Sequence, residues 1–217
     1  PLIKASNFSL NFAKKLSSYS GMALFSAIIL PLVAILIRSY IIDNIGLKEA
    51  GFWEAMNRIS KYYLLFVSTL LTMYILPRFS EIDNIKDFRK EVFSFYKTII
   101  PIFALGLIVV YFLRGFIVDL VFTEEFKPVE DLFFWQLLGD FIKVLSIVIA
   151  YQFLAKRMFW HYIITEAFSV TTLYFTSKYF IDEFGVVGAN MAHFATYVMY
   201  YAIILLIFYS SLFGVIP

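Results

Sequence analysis

No cysteine occurs anywhere in the 217 residues, which excludes disulfides and Cys-ligated zinc or iron–sulfur centres while identifying no compartment. Histidine is nearly missing as well. With 2 His, a metal site would have to rest mainly on carboxylates, and no close acidic pair falls inside an apolar stretch, so no metal is expected. H-E-x-x-H, G-x-S-x-G, a P-loop and a Gly-rich nucleotide turn are all absent, leaving no catalytic residue to name. A concentrated basic footprint is lacking too. The 18 Lys and Arg almost balance 16 Asp and Glu, for a formal charge of +2, so nucleic acid is not an expected partner. Residues 1–15 are polar and amphipathic, without the apolar core and small-residue cleavage site of an export signal. The chain starts at Pro1, without an initiator Met, and closes on an apolar run at Pro217; the expectation is a piece of a longer protein. There is no internal repeat and no low-complexity tract.

What the chain has instead is apolar surface. It is 61% hydrophobic and 20% aromatic, with 26 Phe and 15 Tyr, and its mean hydropathy is +0.81. A soluble domain is roughly half apolar, so this composition predicts an all-α membrane protein. A crossing helix needs about 20 apolar residues, and six windows meet that length: 19–38, 52–76, 98–113, 132–154, 160–179 and 185–213. The expected fold is a six-transmembrane-helix bundle forming one domain over 1–217. Pro31 predicts a kink in the first span, and Pro77 is expected to close the second. The amphipathic stretch 115–122 reads as interfacial, and the sixth span, being long, as tilted or protruding. The longest connection, 77–97, is charged and too short for a soluble domain.

Cations near the span ends set the expected orientation. One side collects Lys4, Lys14, Lys15, Arg78, Lys86, Arg89, Lys90, Lys97, Lys156 and Arg157, against Arg38, Lys48, Arg114, Lys127 and Lys178 on the other. The richer side is expected to be cytoplasmic, with both ends of the chain there, as an even number of crossings requires.

The polar residues inside the spans are the candidate site. Gln136, Asp140 and Lys143 share one helical face in the fourth span. Ionisable groups within hydrocarbon are costly and mark polar paths, which favours a cavity-facing role; the bland alternative is an ion pair tying the span to a neighbour. Glu54, Asn57, Arg58 and Lys61 share a face of the second span at i, i+3, i+4, i+7 spacing. They form either a cationic wall at the outer mouth of a cavity, suited to a pyrophosphate, or a local Glu54–Arg58 pair with Lys61 snorkelling to the interface. Glu166, the lone acid of the apolar part of the fifth span, is a candidate partner for Lys143 or Arg58, or a buried protonated acid. Arg38 reads as an interfacial cation. Asn190, His193, Tyr197 and Tyr200 form a stripe on the sixth span, with His193 read as a hydrogen-bonded packing residue. Tyr62, Tyr162 and Tyr197 either stack on sugars or pack. Asp140 has the chemistry to exchange a proton or bind sodium, so coupling to H+ or Na+ stays open; no other cofactor is expected.

The run Asp131-Leu132-Phe133-Phe134-Trp135-Gln136-Leu137-Leu138-Gly139-Asp140-Phe141-Ile142-Lys143, followed by Ala155-Lys156, resembles the C-terminal half of the Wzx-type lipid-linked oligosaccharide flippases, which handle O-antigen and enterobacterial common antigen units. Gly51-Phe52-Trp53, Tyr74-Ile75-Leu76-Pro77-Arg78-Phe79-Ser80 and Phe122-Thr123-Glu124-Glu125-Phe126 match as well. The resemblance implies membership of the multidrug, oligosaccharidyl-lipid and polysaccharide exporter superfamily. The chain would be the C-terminal lobe of a twelve-helix, two-lobe transporter of the bacterial inner membrane, working by alternating access. Implied partners are a polyprenyl-pyrophosphate-linked glycan, membrane lipid, the N-terminal lobe and glycan polymerase or ligase machinery. The alternatives are a small-molecule or cation exporter of the same superfamily, a polymerase-type polysaccharide-assembly enzyme, and a scaffold subunit. The missing long outer loop weighs against the enzyme.

Overall fold

The computed structural model describes residues 10–214, with side chains from Leu16 onward; Pro1, Lys4 and Pro217, and the side chains of Lys14 and Lys15, lie outside that set. Its helices are α1 (Leu10–Asn44), α2 (Leu47–Leu70), α3 (Leu76–Glu81), α4 (Ile85–Phe112), α5 (Arg114–Val121), α6 (Phe133–Ala155), α7 (Phe159–Phe184), α8 (Val186–Ile207) and α9 (Tyr209–Phe213). No strand occurs among the described residues. Five helical stretches are long and apolar enough to cross a membrane: Leu16–Asn44, Leu47–Glu81, Ile85–Phe112, Glu124–Ala155 and Val186–Ile207. Helix α7 has the length, at 26 residues, but its Thr, Ser, Tyr and charged residues dilute its apolar character. Side chains such as Ile28, Ile35, Phe66 and Leu105 stand exposed on the bundle, which lipid tolerates and water would not.

Two local expectations are corrected. Pro77 does not end the second helical path. A π-helical turn over Leu71–Ile75, with the Leu76 N–H bonded to the Leu71 carbonyl, leads into α3 with Pro77 in its first turn. The widened turn makes room for a ring that would otherwise clash with the carbonyl four residues back. Nor is 77–97 mostly loop. Asn84 caps α4 by accepting a hydrogen bond from the Asp87 N–H at 2.8 Å, so the charged residues after it form the first turns of α4.

Helix α6 is central and packs along α8, which also packs along α7; α1 lies on α7, and α4 on α6. One apolar cluster gathers Phe79, Phe88, Phe153 and Phe208 at one end; a second holds Met56, Val118, Leu132 and Phe133 toward the other. Ile37, Ile41, Val170 and Ile181 join α1 to α7. At the first end Lys156 reaches Asp83 at 3.4 Å, Arg157 lies against Tyr19, and Arg89 bonds the Ser211 carbonyl. The connections α3–α4 and α6–α7, the start of the described part of α1 and helix α9 therefore meet at one end.

The α7–α8 turn depends on glycine. Gly185 has φ +62, a left-handed conformation that suits a residue without Cβ, and a Cβ at Gly188 would lie 1.9 Å from the Phe180 carbonyl oxygen. Gly188→Ala is expected to force these backbones apart at a cost near the top of about 1–3 kcal/mol. A lowered melting temperature of the detergent-purified protein would register it, and an unchanged one would refute the close approach.

Candidate functional site

Between the two apolar clusters of α6 sits a polar layer. Asp140 is fully buried and accepts hydrogen bonds from Ser60 Oγ at 2.5 Å and from the Tyr63 hydroxyl, both on α2. His193 Nε2 of α8 lies 2.9 Å from Asp140 Oδ1. Gln136, one turn before Asp140 on α6, donates to its carboxylate at 3.2 Å and accepts from Asn190 Nδ2 at 2.7 Å. The network ties α2, α6 and α8 together, as a buried carboxylate requires: unshared, its charge would be prohibitive in so apolar a setting. The helices approach closely because residue 139 is glycine. A Cβ there would lie 2.3 Å from His193 Cδ2 and 3.1 Å from the Phe194 backbone nitrogen.

Beside this layer is a cavity of about 580 Å³, walled by α1, α2, α6, α7 and α8 in the half of the bundle away from Lys156. Glu54, Asn57, Arg58, Lys61, Gln136 and Lys143 all line it, together with Arg38, His193 and Tyr197. Two of the candidate residues do not. Asp140 lies behind Gln136 and His193 in the sealed network, and Glu166 is half-buried elsewhere, with the Ser26 hydroxyl 3.5 Å away.

The ion pairing differs from the local reading. Glu54 pairs with Arg38 Nε at 2.9 Å, across from α2 to α1, rather than with Arg58 on its own helix. Arg38 is thus a cavity-lining partner and not a lone interfacial cation. Among the described residues, Arg58, Lys61 and Lys143 have no carboxylate within 4 Å. Glu166 pairs with neither Lys143 nor Arg58. The Lys143 ammonium lies 5.0 Å from the centre of the Tyr197 ring, a cation–π contact that leaves its charge uncancelled. The cavity therefore offers three cations to one acid that is already paired, an arrangement suited to an anion.

Of the aromatic candidates, Tyr197 lines this cavity, and Tyr62 lines a neighbouring recess. Tyr162 instead meets Ser26 Oγ at 2.6 Å. Ser60 and Tyr63 are functional-layer residues that the sequence reading passed over. Their only signal is an i, i+3 relation to each other and to Asn57, easily lost among ordinary Ser and Tyr in an apolar helix. No group of three or more His, Cys, Asp or Glu among the described residues is arranged to hold a metal ion.

The chain is 32% identical over 191 residues to the lipid III flippase of Escherichia coli (strain K12) and equally to that of Shigella flexneri. The match takes in 88% of this chain and 46% of each relative, so the chain spans about half the length of the curated relatives it matches. No family model matches the chain, and no solved structure does.

Proposed function

We propose that this chain is one lobe, the C-terminal one, of a two-lobe, twelve-helix membrane transporter that flips an undecaprenyl-pyrophosphate-linked oligosaccharide from the cytoplasmic to the periplasmic leaflet of the inner membrane by alternating access. The observation that carries the reading is the cavity in which Arg58, Lys61 and Lys143 stand without carboxylate partners among the described residues. A pyrophosphate and a sugar chain cannot cross hydrocarbon unaided, whereas a polyprenyl tail stays in lipid; a polar, cationic groove meets the need. Two relatives that are named flippases support the same class and favour a transporter over an enzyme. Within that class, a Wzx-type substrate, an O-antigen or enterobacterial common antigen repeat unit on its way to the cell surface or to lipopolysaccharide, is the finer reading. Small-cation export fits less well, because the acid lining the cavity is tied to Arg38. The cation-rich end bearing Arg78, Arg89, Lys156 and Arg157 is the cytoplasmic one on this reading, and both ends of the chain face that side. The N-terminal lobe closes the cavity, and polymerase or ligase machinery takes up the product.

The direct test depletes the protein and asks which leaflet accumulates lipid-linked sugar. Build-up on the inner leaflet supports flipping; normal crossing with unpolymerised product outside would overturn it in favour of the polymerase alternative. A second expectation concerns Arg58, an exposed cation on the cavity wall. Arg58→Glu is expected to slow transfer at least about tenfold more than Arg58→Lys, since a charge-assisted hydrogen bond contributes about 1.5–3 kcal/mol. Equal transfer by the two variants in the leaflet assay would show the charge is unused.

A further inference from the structure

A second recess, of about 450 Å³, lies on the other flank of α2, between that helix, α4 and α5. Its walls are Tyr62, Tyr63, Val110, Ile117 and Phe122, and its one charged lining residue is Arg58. Arg58 also lines the cationic cavity, so a single guanidinium borders both spaces. Tyr63 has a double role too: its ring walls the recess while its hydroxyl donates to Asp140. An apolar recess with one cation at its edge, joined through that cation to a polar cavity, has the pattern of an amphiphile with an anionic junction.

We propose that this recess holds the first isoprenoid units of a polyprenyl-pyrophosphate lipid, with Arg58 at the pyrophosphate, so that the sugar extends into the cationic cavity. The inference rests on the flippase reading and adds where the tail leaves the protein. Its volume falls within the roughly 300–1,000 Å³ typical of small-molecule pockets. Because surrounding lipid is as apolar as the recess walls, tail burial supplies little driving force there. The recess therefore acts by shape. It holds the tail–phosphate junction in register with Arg58, and a branched isoprenoid fills it in a way a straight acyl chain does not. Tyr62 and Val121 stand exposed at its rim, leaving the remainder of the tail a path into the bilayer.

The test uses the full protein in vesicles of phosphatidylethanolamine and phosphatidylglycerol, with a photo-crosslinking residue at Ile117 and, as a control, at the exposed Phe175 of α7. Radiolabelled undecaprenyl pyrophosphate is expected to label the Ile117 position selectively, to be competed by unlabelled undecaprenyl pyrophosphate, and to be lost on Arg58→Glu. Equal labelling at Phe175, or displacement by extra phosphatidylglycerol, would overturn the proposal; the latter would make the recess an ordinary lipid site. Val110→Trp, which fills the recess, is expected to slow flipping about tenfold, while Phe175→Trp leaves it unchanged. Wild-type flipping by Val110→Trp would sink the tail site alone, provided Lys143→Ala still accumulates substrate on the inner leaflet. If Lys143→Ala accumulates nothing there, it is the flippase reading itself that fails.

Discussion

Lys143→Ala is expected to leave the protein folded and in the membrane while slowing transfer roughly 10- to 100-fold. Two features of the site set that outcome. Lys143 lines the cavity and has no carboxylate within 4 Å among the described residues, so its removal strands no buried counter-charge, the usual cause of large destabilisation when a pair is broken. The structural loss is confined to the contact with the Tyr197 face, about 0.5–2 kcal/mol. What disappears is a cation aimed at an anionic substrate. A hydrogen bond to a charged group contributes about 1.5–3 kcal/mol net, which converts to the expected factor. Lys143→Arg keeps the charge and is expected to retain part of the activity. Inner-leaflet accumulation of lipid-linked sugar, read beside protein amount and melting temperature, measures both halves. Normal transfer by Lys143→Ala would remove the cation from the mechanism.

Periodicity and composition carried the helical bundle a long way, because a span of about 20 apolar residues has few alternatives to a crossing helix. Helix α6 follows the expected 132–154 within a residue at each end. Local rules failed where a neighbour or a backbone adjustment intervened. Pro77 reads as a stop, but the π turn before it absorbs the steric conflict. The segment 77–97 reads as a charged connection, yet an Asn84 cap lets α4 begin well before its apolar part. Pairings between distant helices were the least legible. Glu54 has Arg58 at the favoured i+4 position, and only the packing of α1 on α2 reveals Arg38 as its partner. Spacing also set Gln136, Asp140 and Lys143 on one face. It could not reveal that α6 divides them, with Lys143 toward the cavity and Asp140 into contact with α2 and α8. The Gly-Asp pair in that motif gains a steric reason: Gly139 lets His193 come within reach of Asp140.

The second large effect is expected at Asp140, and it is one of folding. Asp140 is fully buried and gathers donors from Ser60, Tyr63, His193 and Gln136. Alanine removes the shared acceptor and leaves polar groups on three helices unsatisfied in a dry interior. Removing one partner of a buried charged interaction costs about 3–5 kcal/mol, a large share of a typical total stability of about 5–15 kcal/mol. Asp140→Ala is therefore expected to reduce folded protein in the membrane and to lower its melting temperature markedly. Asp140→Asn keeps the shape and one acceptor oxygen, and is expected to recover most of the protein and, since Asp140 lies off the cavity wall, most of the transfer. Wild-type amounts and melting of Asp140→Ala would show that the network does not hold the helices together. A well-folded Asp140→Asn protein that moves no substrate would instead assign the carboxylate charge a part in transport, reached through the His193 and Gln136 side chains that join the network to the cavity.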